Sequence, residues 1–392
     1  MVPNGWKLTS LGDISSKIQT GPFGSQLHAH EYTDEGIPVL MPKDLIDGRA
    51  DINSAAKIPE TRADDLVKHK LKKGDILFSR RGDVARFGLI TEESEGALCG
   101  TGCLKASISK ENSALFLSYF LQKSTVRKWL EQNAVGQTML NLNTTILSEL
   151  PIMVASSKQE QQKIAKILST WDKAISTTEC LIENSTQQKK ALMQQLLTGK
   201  KRLLNDEGKP FEGEWEEVEL GEISHITTGS SNREDSSLTG EYAFFDRSID
   251  VRTSGIFLFD AEAIIIGGEG QDFVPKYFEG KFDLHQRTYA IMDFKNAYGK
   301  FLFYYIGYYR HYFLSQAVGS TVKSLRLPMF QKMPIKLPSV KEQQKIATVL
   351  TNADKEIELL EQQLADLQQE KKALMQVLLT GKVRVLVNGE VA

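Results

Sequence analysis

Apolar residues late in the chain return at alternating steps of four and three, at Ile346, Leu350, Ala353, Ile357, Leu360, Leu364, Leu367, Leu374 and Leu378, with Lys371 the one polar member. Such a repeat, sustained over more than four heptads, predicts a coiled-coil helix rather than an ordinary surface helix. The same spacing runs through Ile164, Leu168, Trp171, Ile175, Thr178, Ile182, Ser185, Lys189, Leu192 and Leu196. Neither run is broken by glycine or proline before Gly199 and Gly381, which stand where a glycine C-cap belongs. Each helix is expected to hold about 40 residues and to reach roughly 60 Å at 1.5 Å per residue.

The two runs are copies of one segment. Glu160–Leu204 and Glu342–Leu386 align without a gap at a shift of 182 residues, with about 25 of 45 positions identical. Internal repetition of this kind splits the chain into two halves of one design. Thr178, Ser185 and Lys189 leave the first seam less apolar than the second. Lys189 and Lys371 occupy equivalent layers, where a polar residue fixes register at some cost in stability. The two helices are expected to pair within the chain; the alternative is that each folds only onto its own domain.

The segments before and between the helices are β-rich runs broken by glycine and proline, and they match each other more loosely. Trp6 with Leu11–Ser15 answers to Trp215 with Leu220–Ser224, and Gly74–Phe78 to Glu262–Ile266. Aromatic helical runs follow at Leu115–Lys123 and Tyr298–Ile306. Glycine-led stretches from Gly136 and Gly319 close each segment. Short strands with one or two helices indicate an α+β module. The expected order is a first module at 1–157, a long helix at 158–204, a second module at 205–340, a long helix at 341–386, and a tail at 387–392. Similar frames with different interiors suggest one kind of task performed on two targets.

Composition narrows the function. At 392 residues the chain suits two or more domains, and 41% hydrophobic with 25% charged residues is ordinary for a globular protein. No basic start followed by an apolar run marks a signal peptide, and no stretch approaches a membrane span. Cys99, Cys103 and Cys180 lack metal-ligand spacing and fit free thiols in a cytoplasmic protein. No phosphate loop, dinucleotide fingerprint or Asn/Asp-Pro-Pro-aromatic methyltransferase site is present, and no metal site or nucleophile is expected. The net charge of −2 lacks the basic excess of a free-standing nucleic-acid binder. Residues 1–150 carry 18 basic and 18 acidic groups, and residues 213–335 carry 12 and 17. DNA binding then requires positive residues focused in loops, or phosphate neutralisation by partner subunits.

The loops do hold recognition chemistry. Arg80, Arg81 and Arg86 lie in a turn directly after an apolar strand, and arginine forks match guanine O6 and N7 as well as phosphates. Gln137, Thr138, Asn141 and Asn143 form a polar run suited to base edges or phosphate oxygens. The comparable loops of the second module hold Asn232, Arg233, Arg247, Arg252, Gln286, Arg287, Ser320, Thr321, Lys323 and Arg326. Any one of these alone reads equally well as solvated loop charge; repeated in both modules, they read as contacts.

The chain resembles the specificity (S) subunit of Type I restriction–modification systems over essentially its whole length. In the first module the resemblance rests on Gly21–Ser25, Ile37–Asp44 with Lys43, Gly74–Asp83 and Gly100–Leu104. In the second it rests on Tyr242–Ser248 and His285–Arg287, and above all on the duplicated EQQKIA…KKALMQ.LLTGK helices. The resemblance implies two target recognition domains, each reading one half of a bipartite double-stranded DNA target. Two long helices, packed as an antiparallel coiled coil in a pseudo-two-fold repeat, would separate and join those domains and set the unread spacer. It further implies that the helices, with Ile164, Leu168, Ile175, Leu192, Leu196, Ile346, Leu350, Ile357, Leu374 and Leu378, dock two modification subunits. S-adenosylmethionine would then sit on those subunits, and ATP with Mg on restriction subunits, leaving this chain non-catalytic and without a cofactor. The competing classes are a tandem-domain coiled-coil scaffold that never touches DNA and a fused methyltransferase.

Overall fold

The structure, a computed structural model, describes residues 2–22, 26–136 and 140–385. The chain forms two compact units, Met1–Thr177 with Leu364–Ala392, and Thr178–Gln363. Each unit therefore contains one module, the start of the long helix that follows it, and the far end of the other long helix.

In the first unit a six-stranded sheet runs in the order Ser15–Thr20, Cys103–Ile108, Asp75–Ser79, Phe87–Leu89, Gly48–Ala50, Leu45–Ile46. Asp75–Ser79 is buried at every position, as expected of an apolar run covered on both faces. Ile76 and Phe78 meet the helix Ala114–Leu121 through Phe116, Leu117 and Phe120. Leu77 turns to a second cluster with Leu40, Cys99 and Cys103. A three-stranded sheet of Ala56–Ile58, Ile37–Leu40 and Leu98–Cys99 completes the module. Trp6–Ser10 pairs antiparallel with Pro151–Ala155 and closes the module at its ends.

The second unit repeats the plan. Its seven-stranded sheet runs His225–Thr228, Thr288–Met292, Phe259–Gly267, Lys276–Leu284, Tyr242–Phe245, Arg252–Ser254, Ser236–Ser237. The first three strands answer in order to the first three of the first unit. Glu216–Glu219 pairs with Pro334–Leu337 as Trp6–Ser10 does with Pro151–Ala155. The helix Gly299–Tyr308 covers the sheet with Phe301, Leu302, Tyr305 and Ile306.

The long helices are Lys158–Leu196 and Val340–Leu378, 39 residues each. Every position of the heptad seam is buried or half-buried along both. Ile164 and Leu168 of the first helix and Leu378 of the second join the core of the first unit. Leu196, Ile346 and Leu350 join that of the second. The two expectations for the helices are thus both met in part: each start folds onto its own module and also lies beside a segment of the other helix. In the first unit Glu160 faces Arg384 and Asp172 faces Lys371. In the second, Lys189 faces Asp354, Ser185 faces Glu356 and Arg202 faces Glu342. Rising numbers on one helix meet falling numbers on the other, so the segments run antiparallel in each unit.

The two seam lysines have the same surroundings. Lys371 binds Asp172, whose other oxygen accepts the Tyr119 hydroxyl at 2.5 Å. Lys189 binds Asp354, whose other oxygen accepts the Tyr304 hydroxyl at 2.5 Å. Each ammonium also lies over the ring of that tyrosine, at 5.7 and 5.8 Å. The lysines thereby tie helix to helix and helix to module in one register.

At the helix ends Gly199 and Gly381 adopt φ of +70° and +66°, which a side chain would strain. The turn they permit returns an arginine to the partner segment. Arg202 donates through Nε and Nη2 to the two oxygens of Glu342 at 2.6 and 2.7 Å, and Arg384 does so to Glu160 at the same two distances. Both glutamates are almost wholly buried.

Candidate nucleic-acid interface

In the first unit the strand Asp75–Ser79 delivers Arg80 and Arg81 into a clasp of neighbouring loops. The Arg80 N–H donates to the Gly102 carbonyl at 2.8 Å, and the Leu142 N–H donates to the Arg80 carbonyl at 2.9 Å. Arg81 bridges Asn141, and the Gly82 N–H donates to Leu140. This fixed backbone leaves the Arg81 side chain exposed. Arg80 is half-buried, and its Nε is enclosed with no acceptor among the described residues. Lys43 lies exposed on a single 3-10 turn, Pro42–Asp44, pinned by the Met41 N–H on the buried Asp44 carboxylate at 2.8 Å. A cleft of about 650 Å³ brings Lys43, Arg86 and Arg127 together with Asp47 and Asp83.

Not every candidate is free for a ligand. Arg86 lies 3.4 Å from Asp83, which also accepts from Arg127 at 3.2 Å. Burial raises the Asp83 carboxyl, but the Arg127 hydrogen bond and charge, with hydrogen bonds from the Ala85 N–H and Arg86, together hold the group below its usual range. Asn143 uses its side-chain oxygen to cap the helix Thr144–Ser148, accepting the Ile146 N–H at 2.8 Å. Gln137 and Thr138 lie outside the described residues.

In the second unit the loops after Tyr242–Phe245, Phe259–Gly267 and Lys276–Leu284 bring Arg247, Glu269 and Arg287 together. Arg247 donates to one oxygen of Glu269 at 2.5 Å, and Arg287 to the other at 2.6 Å. Gln286 donates to the Asn232 amide oxygen at 2.6 Å. The Glu269–Gly270 segment pairs with Lys323–Ser324, which adds exposed Lys323 to the group. Arg233 sits on a 3-10 turn pinned by Asp235, just as Lys43 does on its turn, and approaches Asp246 at 3.9 Å. Burial pushes Asp246 up, but the Ser248 N–H and hydroxyl and nearby arginines hold its carboxyl below the usual range. Arg252 donates to the Ser236 hydroxyl at 3.0 Å. Ser320, Thr321 and Arg326 are exposed.

The two modules present these residues on one backbone frame. The Gly268 N–H donates to Arg287 and the Leu325 N–H to Gly268, both at 2.8 Å, as Arg80 does to Gly102 and Leu142 to Arg80. The His285 N–H donates to Phe245 at 2.9 Å, as Gly100 does to Leu40. Arg80 therefore corresponds to Gly268, Arg81 to Glu269, Gly102 to Arg287, and Asn141 to Ser324. Glu269 was not among the residues expected at the site. Its signal was the glycine run that follows the strand equivalent to Asp75–Ser79.

The seam residues do not form an open docking face. Ile164, Leu168, Leu196, Ile346, Leu350 and Leu378 are buried in the cores of the units, and Ile175, Leu192, Ile357 and Leu374 are half-buried. The seam side chains that the resemblance assigns to partner docking are thus covered, wholly or in part, within the chain's own units.

Burial pushes the Cys99 thiol up to about 12 and raises Cys103 as well, which leaves both as inert thiols at neutral pH. Among the described residues no cluster of three or more His, Cys, Asp or Glu could hold a metal, and no helix is long and apolar enough to cross a membrane.

The chain matches the Type I restriction modification DNA specificity domain family over residues 3–185 and 212–369. It is 27% identical over 412 residues to the putative type I restriction enzyme MjaX specificity subunit of Methanocaldococcus jannaschii, covering 98% of this chain and 95% of that protein. It is 29% identical over 167 residues to the type I restriction enzyme EcoDI specificity subunit of Escherichia coli, covering 43% and 37%. Its fold resembles the crystal structure of the type I restriction–modification S subunit from M. genitalium, with a TM-score of 0.64 at 17% identity over 96% of this chain and 97% of that one. The HsdS subunit from Thermoanaerobacter tengcongensis gives a TM-score of 0.53 at 16% identity, over 97% and 98%. Two repeated modules, each with its own loop cluster and a shared pair of long helices, are thus accounted for by one lineage: the chain belongs to the Type I restriction modification DNA specificity family.

Proposed function

We propose that this chain is the DNA-reading specificity subunit of a type I restriction–modification complex, with each module reading one half of a bipartite duplex target. The observation that carries the reading is the shared loop frame with exchanged side chains. Equivalent backbone positions hold Arg81 in one module and Glu269 in the other, or Gly102 against Arg287. A constant frame with variable polar groups is what reading two different base sequences requires, since base edges are distinguished by donor and acceptor pattern.

The long helices set the spacer between half-sites and dock two modification subunits on their outer faces. Those subunits bind S-adenosylmethionine and carry out methylation. Restriction subunits with ATP and Mg join the same core in the cytoplasm, and this chain binds no cofactor and performs no chemistry itself. The near-balanced first module and acidic second module leave much of the phosphate neutralisation to partners.

Titration of mixed-sequence duplex DNA with the full chain, with and without its modification subunits, tests this reading. Binding is expected to tighten with those subunits and to fall in salt. Arg81→Ala is expected to cost about 1–3 kcal/mol on a target duplex if the residue reads a base. Equal loss on every duplex with a shallower salt slope would make it a phosphate contact. Absence of binding in every combination would leave a protein scaffold instead.

A further inference from the structure

We infer that Glu269 is a positioning residue that holds Arg247 and Arg287 as a paired reader of guanine in the second half-site. This rests on the proposed DNA-reading function. It adds a specificity-determining role for an acidic residue at a loop otherwise rich in cations.

The geometry separates Glu269 from an ordinary surface ion pair. Its carboxylate is mostly covered, at 16% exposure, whereas Arg247 and Arg287 are 51% and 62% exposed. One fixed acid therefore holds two outward arginines, one on each oxygen. Each guanidinium donates to it through Nη1, and among the described residues neither has another hydrogen-bond partner. The remaining N–H groups of both forks are left for a ligand. The acid itself is fixed by backbone on both sides: Glu269 pairs with Ser324, and the preceding Gly268 is bonded to Arg287 and Leu325.

Two guanidinium groups this close would repel and spread without a carboxylate between them. Held by it, they keep their rotamers, so less side-chain entropy is lost when a base is bound. A planar fork with two free donors matches O6 and N7 of guanine in the major groove. The carboxylate also opposes phosphate, which favours the base edge over the backbone as the target of the pair. The first module solves the same position differently, with Arg81 standing directly where Glu269 stands.

The test is selection from randomised duplexes by the full chain with its modification subunits, followed by titration of selected and unrelated DNA. The second half-site is identified as the block lost when residues 213–337 are replaced by a second copy of residues 3–155. That block is expected to contain at least one guanine. Glu269→Gln is expected to relax selection at that guanine by about tenfold, with the first half unchanged. Affinity for unrelated DNA is expected to hold or rise, because a negative charge has been removed. Glu269→Asp is expected to recover part of the selection. A second block without guanine, an unchanged block in Glu269→Gln, or parallel loss of specific and unrelated binding would overturn the role of Glu269. If the unaltered protein selects no sequence at all, the DNA-reading function falls first.

Discussion

Adding one heptad to both long helices, after Ile175 and after Leu364, is expected to lengthen the spacer of the recognised DNA and leave both half-sites unchanged. Ile175 is followed at the next layer by Thr178, and Leu364 by Leu367. By the antiparallel facing of Asp172 to Lys371, the level of Ile175 falls at Gln368, so the insertion after Leu364 lies one seam layer away, and the two whole-heptad insertions shift both helices equally beyond that layer. A seven-residue insertion in both therefore keeps the seam in register. It adds about 10 Å at 1.5 Å per residue. At about 3.4 Å per base pair along one strand, the spacer is expected to grow by up to ~3 base pairs. The insertion leaves every lysine–aspartate–tyrosine set and every arginine–glutamate pair intact, so each unit keeps its own internal contacts. Sequencing the methylated sites made with the modification subunits checks the outcome. An unchanged spacer would mean that the helices do not set the distance, and a changed half-site that they take part in reading.

Arg202→Ala and Arg384→Ala are expected to be the most destabilising single changes outside the cores, each acting on one unit. Removing either arginine leaves a buried glutamate, Glu342 or Glu160, without its bidentate partner. An uncompensated buried charge costs about 3–5 kcal/mol. Placement in the first turn of a helix offsets part of this, because the helix N-terminus favours an acid. A net loss of about 2–4 kcal/mol is expected for each. Lysine is expected to rescue poorly, since it cannot supply two parallel donors. Replacing both partners, Arg202 with Leu and Glu342 with Gln, is expected to recover most of the loss. Urea unfolding followed by near-ultraviolet circular dichroism of the full chain measures this. A change under about 0.5 kcal/mol would place these pairs with ordinary surface ion pairs.

Much of the frame was legible in the sequence because it repeats. The seam at Ile346 to Leu378 and its copy at Ile164 to Leu196 are set by periodicity, which survives in any context where one face is covered. The correspondence of Gly74–Phe78 with Glu262–Ile266 was legible for the same reason, since both are central strands with continuous apolar character. What the seam covers was not legible. A heptad does not say whether Leu168 meets a partner helix, a module or another subunit, and the structure places it in the core of its own unit.

The recognition loops were legible only in composition. Arg80, Arg81, Arg247 and Arg287 stand out by type, but their partners lie 18 to 22 residues away or more. Glu269 acquires its role only when the folded chain brings the loops that carry Arg247 and Arg287 to its carboxylate. Asn143 looked like a base reader, although asparagine before a short helix serves equally well as its cap. Arg86 looked like a free cation, but a turn of three residues returns Asp83 to it. In both cases a local contact occupies part of a side chain that composition alone offers whole to a ligand.

Replacing residues 213–337 by a second copy of residues 3–155, within the full chain and its complex, tests most directly whether the modules are independent readers on one frame. Selection from randomised duplexes by the unaltered complex provides the two starting blocks. The replaced subunit is expected to select the first block twice, with the spacer kept and the original second block lost. Persistence of the second block, or selection of a single unpaired block by a folded complex, would contradict independent reading.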